Sequence, residues 1–263
     1  MKKKIAHPFL LLIWAFLSQP ALVYPGNINL PYTEHFNYSV DTYIVGLTGS
    51  DWTRHGGGTA DDARTASTEG SLSYSGLPTS SGNRYVVMSS RGDDIGLNFA
   101  SSISIGSIYA SFIMKVTANP DTVGKNFAHF MVNSSDTSIF PGRIYIRLDG
   151  SAINLGVARA SSSSPTWASD ALALDTVYFV VLKYTFGPPD TASLYINPSP
   201  VSSEPATPNA FANSGGSNAT VIERFALRQA SDSIDTIIEI DELRIVTTWA
   251  DILPVTASEF IVE

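Results

Sequence analysis

Three carboxylates fall within four consecutive positions near the end of the chain, in Ile238-Glu239-Ile240-Asp241-Glu242-Leu243-Arg244-Ile245. Two carboxyl groups about 5 Å apart, one a nucleophile and one an acid/base, equip a retaining glycosidase. The apolar residues around them change phase, since Ile238 and Ile240 share one parity and Leu243 and Ile245 the other. Side chains alternate along a strand, so such a flip requires one extra residue. A β-bulge at Asp241-Glu242 would return all four apolar side chains to the core and leave two acidic groups at a kink, where they either hydrogen-bond to loop amides or cap a structural calcium site.

Carbohydrate recognition has its own residue types: aromatic rings for the apolar faces of sugars, and planar Arg, Asn or Gln groups for their hydroxyls. Arg143, Tyr145 and Arg147 share one face opposite Ile144, Ile146 and Leu148, Tyr195 and Asn197 oppose Leu194 and Ile196, and Arg228 opposes Leu227. If these strands are neighbours, a polar-aromatic sheet face results. Trp167 follows Ser161-Ser162-Ser163-Ser164-Pro165, and packing does not explain an indole on so polar a loop. The candidate ligand-binding residues are therefore Trp167, Tyr145, Arg147, Tyr195 and Arg228.

Other chemistries find less. His35, His55 and His129 lack the close spacing of a zinc site, and His129, in strand parity with Met131, reads as a core-edge residue. No G-x-S-x-G elbow occurs. Asp61-Asp62 and Asp93-Asp94 lie in Gly- and Ala-rich contexts and are expected to be solvated turns. With no cysteine, disulfides, thiol catalysis and thiolate metal sites are excluded. No residue is assigned a catalytic role at this stage.

The chain of 263 residues is long enough to bury a substantial core, and its formal net charge is -8. Its sixteen Lys and Arg are scattered, so nothing neutralises a phosphate backbone and nucleic acid is not an expected partner. Lys2-Lys3-Lys4 followed by the apolar run Phe9 to Leu17 has the form of a secretory signal, too short to span a membrane comfortably. Residues 1–26 are expected to be that signal, touching a membrane only during export. The product would be secreted or at the cell surface, extracellular or periplasmic.

Behind the leader, period-two runs dominate. Ile108 to Val116, Phe127 to Val132, Arg143 to Leu148, Ile153 to Ala158, Val177 to Phe186, Thr191 to Asn197, Arg224 to Arg228 and Ile237 to Val246 are strands bounded by turn residues. Ile108 to Val116 is apolar on both faces, as an inner strand is. Pro198 to Gly216 is expected to be one long surface loop. Ten to fourteen antiparallel strands with short loops predict an all-β, two-sheet jelly-roll sandwich over residues 27–252, with 253–263 as a departing tail.

Several segments together carry a resemblance: Leu30-Pro31-Tyr32-Thr33-Glu34-His35-Phe36, Trp52, Gly70 to Pro78, Ile108 to Phe112, Val180 to Tyr184, Ala226 to Gln229, and Ile240 to Arg244 with Thr248-Trp249. The chain resembles the concanavalin A-like, laminin G-like β-sandwich domains of secreted and cell-surface bacterial proteins. That resemblance implies a structural calcium between an acidic residue near the first strand and an aspartate on the last, which here are Glu34 and Asp241. The last strand is also similar to the catalytic strand of jelly-roll glucanases, which carry E-x-D-x-E or E-x-D-x-x-E. Leu243 or Arg244 stands where the second glutamate would be, and neither can act as the acid/base.

The functional expectation is a secreted, non-catalytic binding or adhesion module for extracellular polysaccharide. Its alternatives are a diverged glycoside hydrolase or polysaccharide lyase of the jelly-roll class, and a structural surface or matrix protein without a small ligand.

Overall fold

The computed structural model describes residues 26–57, 63–80, 82, 85–89, 92–133, 139–199, 203–229 and 236–253. The signal segment through residue 25, Asp61-Asp62 and the tail from residue 254 lie outside the described residues. In chain order the strands are β1 (Tyr32–Glu34), β2 (Thr53–Gly57), β3 (Arg64–Thr65), β4 (Val86–Met88), β5 (Asp93–Ile103), β6 (Ser107–Ala118), β7 (Lys125–Met131) and β8 (Arg143–Asp149). They continue with β9 (Ala152–Ala158), β10 (Thr166–Trp167), β11 (Val177–Thr185), β12 (Thr191–Ile196), β13 (Ala210–Ala212), β14 (Ile222–Leu227) and β15 (Ile237–Val246), before a 3-10 turn at Trp249–Ile252.

These strands form two antiparallel sheets, the jelly-roll sandwich expected from the alternating pattern. One runs β13-β12-β11-β6-β15-β4-β3, with β1 also paired to β15, and the other runs β10-β9-β8-β7-β14-β5-β2. Between them lies one apolar cluster to which each sheet contributes its alternate residues: Phe112, Val180, Leu194 and Ile240 from the first, Leu97, Phe130, Ile144, Leu155 and Phe225 from the second. A Phe-to-Ala change in such a core typically costs about 3–5 kcal/mol. The turn between β8 and β9 is a two-residue loop opened by Gly150 at φ +65°, which a hairpin of this length favours.

Strand β15 contains the expected bulge. Its register against β6 slips by one residue between Asp241 and Arg244, and Glu242 takes φ +50°. The slip lets β15 change partners, since Ile238 to Ile240 pair with β4 and Leu243 to Ile245 pair with β1. Ile238, Ile240, Leu243 and Ile245 are all buried in the core. Trp52 also closes the core, stacked on Phe36 at 5.9 Å.

Strand β6 is the inner strand expected from its two apolar faces. Tyr109 and Ile113 point away from the sandwich, into a second cluster with Phe179, Val181, Tyr195 and Trp249. Segments of the chain around Leu72 and the Trp249–Ile252 turn cover that side of the sheet.

Two local expectations need correction. Asp93-Asp94 opens the long strand β5, and Asp93 is buried against Arg54 and the Tyr43 hydroxyl rather than solvated. The Pro198 to Gly216 stretch is not all loop, because Ala210–Ala212 forms the edge strand β13 on β12. Small alanines that fit between Ala192 and Leu194 win over the surrounding turn-forming composition.

Candidate functional site

The seven-stranded sheet turns a polar face away from the core. On its inner side are Ile95, Leu97, Phe225, Leu227, Phe130, Ile144, Ile146, Leu155 and Val157. Alternation then places Asp94, Arg224, Ala226, His129, Arg143, Tyr145, Arg147, Asn154 and Gly156 outward. The pairings Thr53 to Gly96, Gly96 to Ala226, Ala226 to His129, His129 to Arg143 and Arg143 to Ala158 make a continuous row across the sheet. The next row on β8 holds Tyr145, paired with Asn126 on β7 and Gly156 on β9, and Gly156 pairs with Trp167 on β10.

Two glycines on this face allow large side chains to lie flat on the sheet. A Cβ on Gly96 would stand 2.3 Å from the Arg224 Nε, and a Cβ on Gly156 would stand 2.7 Å from the Trp167 ring. A glycine within a strand often marks such a close approach. The Arg224 guanidinium, so placed, donates to the Thr53 carbonyl at 3.0 Å and to the Thr53 hydroxyl.

The centre of the face holds two histidines. His55, from β2, meets His129 edge-on with ring centroids 5.8 Å apart, and Phe140 packs on His129 at 4.3 Å. None of the four ring nitrogens has a hydrogen-bond partner among the described residues. Burial lowers the His55 pKa to about 4, helped by Arg224 and Arg228. His129, fully buried, is held well below the ordinary value by burial first and then by His55 and the surrounding arginines. Both rings are therefore neutral bases near neutral pH.

Arginines frame the pair. Arg143 donates to the carbonyls of Ala160, Ser161 and Ser163, which fixes it against the loop after β9, and lies 5.0 Å over the Tyr145 ring. Arg228 donates to Asn126 Oδ1 at 3.0 Å and stands 3.8 Å from Asp94. Asp94 also accepts the Gln229 amide, and burial raises its pKa to about 6 in spite of Arg228. Farther along β8, Arg147 lies 4.3 Å over the Trp167 ring and pairs with Asp149 at 2.7 Å. The face of a chain with net charge -8 is thus cationic at four arginines.

Of the candidate residues named from the sequence, the fold brings Tyr145, Arg147, Trp167 and Arg228 to this one face, with Trp167 in β10 against Gly156 rather than on a loop tip. Tyr195 is not among them. It lies on the outer side of the other sheet, buried, with its hydroxyl on Glu204 at 2.5 Å and its ring on Trp249. His55, His129 and Arg224 also belong to the face, and residue types alone did not single them out. The signal that could have found them is the strand glycines, Gly96 and Gly156, which pack no core and leave room above.

The acidic run of β15 is elsewhere. Glu239 pairs with Lys115 at 2.6 Å on the eight-stranded sheet, and Asp241 is fully buried there. Asp241 accepts the Glu242 amide at 2.8 Å and the Leu72 amide at 2.9 Å. Glu34 accepts the Phe36 amide at 2.7 Å, the Tyr38 hydroxyl at 2.7 Å and the Trp52 indole N–H at 3.0 Å. A calcium ion wants six to eight oxygen ligands, whereas both carboxylates here are faced by N–H and O–H donors. Burial raises both pKa values, that of Asp241 to about 8.

No protein-family model matches the chain, and no curated protein sequence does. Among solved structures, the chain is similar to a mutant alginate lyase in complex with alginate tetrasaccharide, at TM-score 0.54 and 13% identity, over 84% of this chain and 98% of that one. It is also similar to a marine alginate lyase from Zobellia galactanivorans, at TM-score 0.44 and 13% identity over 68% of this chain and 83% of that one. An endo-beta-1,4-glucuronan lyase from the fungus Trichoderma reesei matches at TM-score 0.42 and 12% identity, over 72% and 90%. The TM-score of 0.54 with the first of these shows a shared fold alone, at 13% identity.

Proposed function

We propose that the outer face of the seven-stranded sheet binds an acidic polysaccharide and cleaves it by elimination, which makes the chain a secreted polysaccharide lyase. The observation that carries this reading is the grouping of two neutral histidines, without hydrogen-bond partners among the described residues, with four arginines on one face of an acidic protein. Uronate units offer what such a face is built to meet. Their carboxylates suit the planar guanidinium fork, and the proton beside the carboxylate is the one an elimination removes.

The reaction needs a neutral base and a proton donor, and it consumes no water. A histidine of the His55–His129 pair, whose ring nitrogens are covered in this structure and must be uncovered by the incoming chain, takes the carbon-bound proton, the electron pair forms the new double bond, and the glycosidic carbon–oxygen bond breaks. The leaving oxygen receives a proton from the Tyr145 hydroxyl. Tyr145 is one diagonal step from His129 across neighbouring strands, about 7 Å between Cβ atoms. Burial raises the Tyr145 pKa, and the Arg143 and Arg228 charges act to lower it. Arginine beside the substrate carboxylate stabilises the charge that builds up as the proton leaves. The fold neighbour described with an alginate tetrasaccharide is in keeping with this reading.

The test is incubation of the mature protein with uronate polysaccharides, following the ultraviolet absorbance of the unsaturated sugar produced. Appearance of that chromophore, lost in Tyr145→Phe, supports the reading; cleavage of no uronate polymer would overturn it.

A second reading, a binding module without turnover, is favoured by one observation. His129 is fully buried and Arg143 is tied to three carbonyls, whereas Tyr145, Arg147, Trp167 and Arg228 are partly exposed. Binding of the same polymers with no chromophore would establish it.

A further inference from the structure

We infer that Arg147, held in place by Trp167, selects a second acidic sugar at a distance from the histidine pair, so that the face takes an extended acidic oligosaccharide rather than a single uronate. The inference rests on the reading of this face as an acidic-glycan site and adds to it a subsite and the residue that reads it.

Trp167 is not a free stacking platform. Its indole rests on Gly156, its far edge lies against Gly124, and the Arg147 guanidinium sits 4.3 Å from its ring. An aromatic face engaged by a cation is not offered to the apolar side of a sugar. What the arrangement offers instead is the guanidinium. It is pinned by the ring, its side chain is 28% exposed, and its Nε has no hydrogen-bond partner among the described residues. Among the described residues it pairs with the carboxylate of Asp149, which is 60% exposed. An ion pair that open to water is weak, so a substrate carboxylate can replace Asp149 at little cost.

The spacing sets the length of the ligand. Arg143 is paired with His129, and Arg147 lies four residues farther along the same strand. At the rise of a β-strand this is roughly 13 Å, more than one sugar ring. The space beside Arg147 therefore belongs to a different unit of the chain from the one at the histidines.

The experiment compares the wild type with Arg147→Ala, Trp167→Ala and the double variant, using uronate oligomers of graded length and their carboxyl-reduced, neutral counterparts. kcat/KM is the readout if the oligomers are turned over, and calorimetric binding if they are not. Absence of turnover thus counts against the lyase reading alone. Arg147→Ala is expected to lose about tenfold more on a long acidic oligomer than on a dimer. Trp167→Ala should show the same length-dependent loss, and the double variant should add little to either, because the ring acts through the guanidinium. Unchanged melting temperatures would show that the losses are not unfolding. Equal losses on dimer and long oligomer, or a Trp167→Ala loss as large on the neutral oligomers as on the acidic ones, would overturn the inference.

Discussion

Asp241 and Leu72 are 169 positions apart and share a hydrogen bond, the Leu72 amide donating to the Asp241 carboxyl at 2.9 Å inside the protein. The bulge in β15 makes the contact possible, because the extra residue leaves Asp241 facing the Leu72 segment while Ile240 and Leu243 stay in the core. Burial raises the Asp241 pKa from 3.8 to about 8, and the Glu242 and Glu34 charges add to the shift. The folded state therefore favours the protonated acid. Its contribution is complete below the ordinary carboxylate value and is lost as pH rises through about 8. The melting temperature should fall along that limb. Asp241→Asn should flatten it, while lowering stability in acid by about 1–3 kcal/mol because one amide oxygen cannot serve two N–H groups as well as a carboxyl does. Thermal melts across the pH range check both.

His129 gives the opposite limb. Its depressed pKa, with that of His55 at about 4 against an ordinary 6.5, means that the neutral rings are favoured by folding. Stability is present above 6.5 and is lost as pH falls through about 4. His129→Phe removes two buried, hydrogen-bond-free nitrogens and adds a ring beside Phe140. The variant is expected to melt at or above the wild type by about 1 kcal/mol, with a shallower acid limb. Elimination activity, if His129 takes part as proposed, should fall by about 100-fold or more. A stable variant of undiminished activity would leave His55 as the base.

The bulge, the inner strand β6 and the two-sheet architecture were legible because each is written in local alternation. Ile238, Ile240, Leu243 and Ile245 state a phase flip that only an extra residue can resolve. The grouping of Tyr145, Arg147, Trp167 and Arg228 was half legible: alternation put Tyr145, Arg147 and Arg228 outward and a polar context marked Trp167, but only strand order could decide which of them shared a face, and it took Tyr195 to the other sheet. His55 and His129 were not legible, since they lie 74 positions apart and meet only because β2 and β7 belong to one sheet. Asp93 was mistaken for a turn residue because Gly92 precedes it, whereas its burial depends on Arg54 and Tyr43 from distant segments.

Chelation should leave the fold untouched. The Glu34 oxygens are engaged by Phe36, Tyr38 and Trp52, and those of Asp241 by Leu72 and Glu242. Equal melting temperatures in excess calcium and in excess chelator are the expected outcome. A calcium-dependent rise would restore the cation between these two carboxylates, since a ligand that binds the folded state alone raises its stability.

Glu239→Gln separates the two carbohydrate readings of the chain. The residue is buried on the eight-stranded sheet and ion-paired to Lys115, so its loss leaves the Lys115 ammonium without that partner and should cost about 1–3 kcal/mol. Elimination activity should be unaltered, because the group is on the other sheet from the histidines. A large drop in turnover would instead place the chemistry on β15.

Gly156 tests whether the outer face is built as described. A methyl group there would stand 2.7 Å from the Trp167 Cε3 and 3.0 Å from the Thr166 carbonyl. The backbone contact cannot yield easily, so the two-residue strand β10 must shift with its indole. Gly156→Ala should cost about 1–3 kcal/mol and change the tryptophan emission as the ring leaves Gly124 and Arg147. Gly150→Ala separates steric contact from the general cost of replacing glycine. That site is also a glycine but has nothing within 4 Å of the added carbon; its positive φ of 65° adds backbone strain without touching Trp167. An emission change in Gly156→Ala alone ties the position of the indole to the missing side chain beneath it, while equal emission in both variants would mean that the ring does not rest on the sheet.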